Sequence, residues 1–144
     1  MAYLRVQGAK RLRRTLKQAG VDVKQLKAVN KEAADIVVPV AIGTAPVGGP
    51  YRSRGRGRAR KPGRLKNSIR SFATQRAGVV RAGSAARVPY AGPVHWGWPK
   101  QPGRQGSGIR ANPWISVAAK ATEPAWTKAY ERKVREVINS VKGK

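Results

Sequence analysis

Between Arg52 and Arg64 the chain sets out Arg52, Arg54, Arg56, Arg58, Arg60, Lys61 and Arg64, seven cations in thirteen residues with no acid among them. Guanidinium groups at that density bind anions, because their planar fork matches carboxylate and phosphate oxygens. They are poor proton carriers. Groups that move protons or hold metals are scarce: six carboxylates, the single imidazole of His95 and no cysteine at all. The lack of cysteine excludes disulfides, thiolate zinc sites, cysteine-ligated iron–sulfur clusters and a cysteine nucleophile. Glu32 and Asp35 stand three residues apart on a helical pattern and could share a cation. No third ligand accompanies them, so solvation of a helix face is the favoured reading. His95 lies between Val94 and Trp96 in a Pro/Gly-rich stretch and reads as a packed or hydrogen-bonded side chain before a catalyst. No Walker-type phosphate loop, HExxH or nucleophile-elbow pattern is present. Gly55 and Gly57 follow no strand and precede no helix, which excludes a dinucleotide loop. We expect no catalysis, no metal and no cofactor.

The aromatic residues divide into two groups. Tyr90, Trp96 and Trp98, with His95 beside them, suit an interface, as anchors against protein or as platforms for unpaired bases. Covering one end of a sheet is the competing role, and the two stand near even. Trp114 and Trp126 fall at helical spacing with core residues and are expected inside. For the Arg-rich run a contact role is favoured over a merely solvated segment, because its charge is so one-sided.

Around these residues is a chain of 144 residues with a formal net charge of +25. That length suits one domain spanning 1–144. At 40% hydrophobic it can build a modest core. No acid stands between Asp35 and Glu123. Self-repulsion of this kind disfavours an isolated compact state and points to an anionic partner, either nucleic acid or an acidic protein surface. The longest apolar run, Ile36 to Ile42, is too short to span a membrane and contains Pro39. No signal-peptide pattern opens the chain, so synthesis and use in the cytoplasm are expected.

The elements follow from periodicity. Tyr3 to Val6 suits a short edge strand, and residues 9–19 a basic helix. Leu26, Val29, Ala33, Ile36 and Val40 recur every three or four residues, which predicts a helix from an Asp22 N-cap to Gly43, bent near Pro39. Residues 44–64 form an extended basic loop with no apolar face to bury. Leu65–Ala73 and Val79–Ala82 read as strands turning at Ala77-Gly78, with a third strand over Val88–Trp96. Asn112-Pro113 opens a C-terminal helix that restarts at Thr122-Glu123-Pro124. Trp126, Tyr130, Val134, Val137 and Val141 then mark its buried stripe. The expected class is α+β, with the long helix and the C-terminal helix packed on one face of a small antiparallel sheet.

Three blocks of residues carry a resemblance. Ala45-Pro46 and a loop lead to Gly63-Arg64-Leu65-Lys66-Asn67-Ser68-Ile69. Pro89-Tyr90-Ala91 follows, with Val94-His95-Trp96-Gly97. Ala111-Asn112-Pro113-Trp114-Ile115 then enters the terminal helix. In this order the chain resembles the tail-completion and neck protein family of long-tailed bacteriophages. Gly63, Leu65, Ser68 and Ile69 match the family's first block, Tyr90, Ala91 and Gly97 its second, and Pro113, Trp114 and Ile115 its third. Two departures stand out: the Arg-rich expansion before Gly63, and His95 where the family has a Glu-like residue. The resemblance implies an α+β subunit of a homo-oligomeric ring, a hexamer, in the virion at the head–tail junction. Its implied neighbours are a connector or stopper ring on one side and the tail terminator or tail tube on the other. The Arg-rich run would then reach an acidic neighbouring ring or line the lumen where packaged DNA ends. The alternative is a basic nucleic-acid-binding protein of ribosomal or nucleoid-like type.

Overall fold

The computed structural model describes residues 2–5, 14–17, 24–48, 62–100 and 108–142. Most of the Arg-rich run, residues 52–61, lies outside them, as does the expected Asp22 N-cap.

The fold is α+β. Its sheet has three antiparallel strands in the order β1-β3-β2: β1 (Ala2–Arg5), β2 (Arg70–Ala73) and β3 (Gly78–Ala82). The expected strand near the N-terminus therefore exists, and it supplies the third strand. The segment Val88–Trp96 does not. It forms a short helix, α3 (Ala91–Trp96), because Pro93 lacks the N–H a ladder needs but is tolerated in a helix's first turn. The expected strand over Leu65–Ala73 is likewise shorter: its first half is a turn and a 3-10 helix at Lys66–Ser68.

Residues 14–17 are helical (α1). The long helix α2 (Gln25–Thr44) runs unbroken through Pro39, whose ring is exposed. Its buried stripe is Leu26, Val29, Ala33, Ala34, Val37 and Ala41. That is one face, as expected, but beyond Ala33 it runs through Val37 and Ala41, leaving Ile36 and Val40 half-buried. Alanines at 34 and 41 permit a close approach to the sheet, where a larger residue would hold it off. At the C-terminal end, α4 (Trp114–Ala121) and α5 (Glu123–Lys142) are separated at Thr122, whose Oγ1 donates to the Ala118 carbonyl at 2.8 Å. The restart expected there is present. α4 touches β1 and α2, whereas α5 packs chiefly on α2. The two C-terminal helices thus do not share one sheet face, and α5 forms a further layer.

Two apolar clusters result. The larger joins Val37 and Ala41 of α2, Val80 and Ala82 of β3, Leu65, Ile69, Ala91, Trp114 and Ile115. The smaller joins Leu16 and Leu26 with Val29 and Val134, and Tyr130, Val137 and Ile138 lean on it. α2 contributes to both. Each buried Leu or Ile side chain supplies about 1.5–3 kcal/mol of favourable transfer energy. No described helix is long and apolar enough to cross a membrane.

Candidate anion-binding surface

α2 covers one face of the sheet. On that side Ser71 of β2 donates to the Asp35 carboxylate and accepts from the Lys31 ammonium, the latter at 2.8 Å. Lys31 also bonds Asp35 directly, one turn along the helix. Burial pushes the Asp35 carboxyl up, but hydrogen bonds from Lys31 and Ser71, with the Lys31 charge, outweigh it and leave the group below the ordinary carboxylate range. The neighbouring Asn30 is buried and donates from Nδ2 to the Thr74 carbonyl at 2.9 Å, tying the β2–β3 turn to α2. That turn spans residues 74–77, slightly before the expected Ala77-Gly78, and closes through Thr74 N–H to the Ala77 carbonyl at 2.9 Å.

The other face has a different character. Strand alternation turns Arg70 and Phe72 of β2, with Val79 and Arg81 of β3, away from α2. Register sets Arg70 opposite Arg81 and Phe72 opposite Val79. Like charges directly opposed across a ladder repel. Phe72 stands 43% exposed beside them. Arg64 and Arg87 join from the loops, completing a concavity of about 650 Å³ that also includes Asn67 and Ser84. None of its described lining residues is acidic. The rim is fixed: Arg64 Nη2 donates to the Arg87 carbonyl at 3.0 Å, and the Arg87 N–H donates to Ser84 Oγ at 3.1 Å. Ser68 Oγ accepts from the Gly83 N–H at 2.9 Å. Gly83 holds φ +78°, and a Cβ there would sit 2.4 Å from the Ala91 Cβ, so the turn from β3 toward α3 needs glycine. Within this concavity Arg81 Nε is shielded from water and meets no hydrogen-bond partner. An unmet buried donor is costly, here as at Trp114 Nε1 in the core, which is also unpartnered.

Of the residues singled out in the sequence, Arg52, Arg54, Arg56, Arg58, Arg60 and Lys61 lie outside the described residues. Arg64 alone of that run is placed, and it enters the concavity. Tyr90, Trp96 and Trp98 are 37%, 59% and 48% exposed. Trp98 pairs with Ile109 through reciprocal backbone hydrogen bonds of 2.8 Å each, a two-residue ribbon with both side chains partly in solvent. His95 is the exception among the interface candidates. It is 1% exposed, with ring centroids 4.2 Å from Trp96 and 4.9 Å from Trp114, both edge-on. In α3 His95 shares the inward side with Ala91 while Trp96 turns outward, so His95 is a core residue and offers no contact surface. Burial holds its imidazole below the usual range, in the neutral form. Glu32 and Asp35 diverge: Glu32 accepts from Arg132 of α5 at 2.8 Å, while Asp35 faces β2. Trp114 is buried in the larger cluster, and Trp126 packs against it with Nε1 donating to the Ala119 carbonyl at 3.0 Å.

The sequence pattern did not single out Arg70, Arg81 and Arg87 as a group, and assigned Phe72 no role beyond its strand. The period-2 pair Arg70 and Phe72, set against small Ser71 and Ala73, was the available signal. No family model, no curated protein and no solved structure matches this chain.

Proposed function

We propose that this chain is a structural subunit of the head–tail junction of a long-tailed bacteriophage, a ring-forming neck or tail-completion protein that works by contact alone. One observation supports this reading above the others. The three blocks that carry the resemblance lie far apart in sequence and meet in one core: Leu65 and Ile69 from the first, Ala91 from the second, Trp114 and Ile115 from the third. Further ties join the blocks. Asn112 N–H donates to the Val94 carbonyl at 3.0 Å. Gly97 holds φ +85°, and a Cβ there would lie 3.1 Å from the Ala111 nitrogen. Motif residues that assemble a common scaffold are what a shared fold requires, and such residues leave the surface free to vary with the partner.

In this reading the subunits form a homo-oligomeric ring, a hexamer, between a connector or stopper ring and the tail terminator or tail tube. Tyr90, Trp96 and Trp98 are amphipathic anchors for a neighbouring protein. The cations from Arg52 to Arg64 meet an acidic ring surface or the end of the packaged DNA. Assembly offsets the self-repulsion of a +25 chain by bringing it against opposite charge.

The test is a phage genome from which this reading frame is deleted. Full heads and finished tails should accumulate unjoined, and supplying the protein should restore joined particles. A normal yield of joined, infectious particles without it would remove the proposal. A milder deletion of residues 51–61 should keep the circular dichroism of the intact chain yet block joining.

A further inference from the structure

We infer that the open face of the sheet is a binding site for single-stranded nucleic acid, with Arg64, Arg70, Arg81 and Arg87 holding the sugar–phosphate backbone and Phe72 stacking on a base. The inference stands apart from the head–tail reading: Arg64 also belongs to the first motif block, but it counts here for its place in this concavity and not for the resemblance.

Charge complementarity is the first argument. Among the described residues, four guanidinium groups and no carboxylate line the concavity. Arg70 and Arg81 are held directly opposite each other by the ladder register, an arrangement that is unfavourable until an anion lies between or over them. The orphaned Nε of Arg81 is a second, lesser argument: it is shielded from water as well as unpartnered, so a phosphate oxygen meets it only once the guanidinium turns outward. The ligand's flatness is the third. Among the described lining residues Phe72 is the large aromatic side chain, 43% exposed and beside Arg70 on the same strand face. A protein carboxylate makes no use of an open π-face, whereas an unpaired base stacks on one. Duplex DNA keeps its bases stacked internally and would meet only the arginines. Of the protein's own carboxylates, Glu32, Asp35 and Glu136 already form ion pairs with described cations.

A chain this basic retains any polyanion, so the experiment must compare variants of equal charge. Fluorescence anisotropy of the full-length protein with a labelled oligo-dT strand is measured across a salt series. Arg70→Gln with Arg81→Gln should weaken binding about tenfold and lower the log–log salt slope by roughly one unit. Lys128→Gln with Arg135→Gln, exposed on α5, removes the same charge and should change affinity less than about twofold. Phe72→Ala should weaken binding at least about fivefold with the salt slope unchanged. Thermal unfolding verifies that each variant folds, and relief of the Arg70–Arg81 repulsion should leave the double variant at least as stable as the parent. Equal losses from the two charge-matched pairs, or no loss from Phe72→Ala, would overturn the site. So would a blunt duplex or a poly-glutamate peptide binding more tightly than oligo-dT with the same dependence on Arg70 and Arg81. Because purified protein is used, such a result leaves the head–tail joining assay to be decided separately.

Discussion

The two faces of the β2–β3 hairpin are built from alternate residues of the same strands, yet they follow opposite rules. Toward α2 the strands present Ser71, Ala73, Val80 and Ala82, small or apolar groups that pack or find partners on the helix. Away from it they present Arg70, Phe72, Val79 and Arg81, with like charges opposed and a donor unmet. The covered face is locally consistent and contributes stability. The open face carries conflicts that the covered face must offset, and conflicts of that kind concentrate where a ligand is to be received. Adjacent positions on one strand should therefore respond in opposite ways to the same change.

Aspartate placed at neighbouring positions gives the widest separation. Val80→Asp buries an unpaired carboxylate in the main cluster and should cost about 3–5 kcal/mol or prevent folding. Arg81→Asp, one residue on, should be neutral or stabilising, because it turns a like-charge pair with Arg70 into an opposite one worth about 0.2–1 kcal/mol. Urea unfolding of both variants reads the contrast. Comparable losses would mean that the two faces are not distinct in the way described.

A smaller effect isolates the polar part of the covered face. Asn30→Ala removes the donor to Thr74 and leaves a turn carbonyl without its partner, which should cost about 1–3 kcal/mol. Amide hydrogen exchange in residues 74–77 should rise with it. An unchanged exchange pattern would show that the turn is held by its own Thr74–Ala77 bonds.

The smallest effect is in acid. Asp35 titrates below its unfolded value, so its contribution is complete above the ordinary carboxyl pKa and is lost as pH falls through the lower folded one. The slope of stability against pH in that acid window should be shallower in Asp35→Asn than in the parent. Equal slopes would place the linkage elsewhere. The pair is half exposed, so salt should weaken it further.

Much of the scaffold was legible in the chain. The 3–4 spacing of Leu26, Val29 and Ala33, the strand near Tyr3, the hairpin and the restart at Thr122 are local patterns that tertiary contacts reinforce. The segment at Val88–Trp96 was not legible, because a short apolar run with two prolines fits either period and only the packing of Ala91 and His95 into the core decides it. The surface was harder still. Charge is densest in the run Arg52–Arg64, whereas the arginines that share a concavity come from positions 64, 70, 81 and 87. Only strand register brings those together. His95 stood out by its rarity, but rarity carries no information about direction, and its ring faces Trp114.

The reciprocal bonds between Trp98 and Ile109 fasten two points of the backbone side by side. A segment tied at two such points is, in entropic terms, a handle on a closed clasp. Extending that handle adds an entropic penalty that grows only with the logarithm of its length. Gly108 is the position there that must be kept, since a Cβ on it would lie 2.6 Å from the Trp98 carbonyl oxygen and force the clasp open.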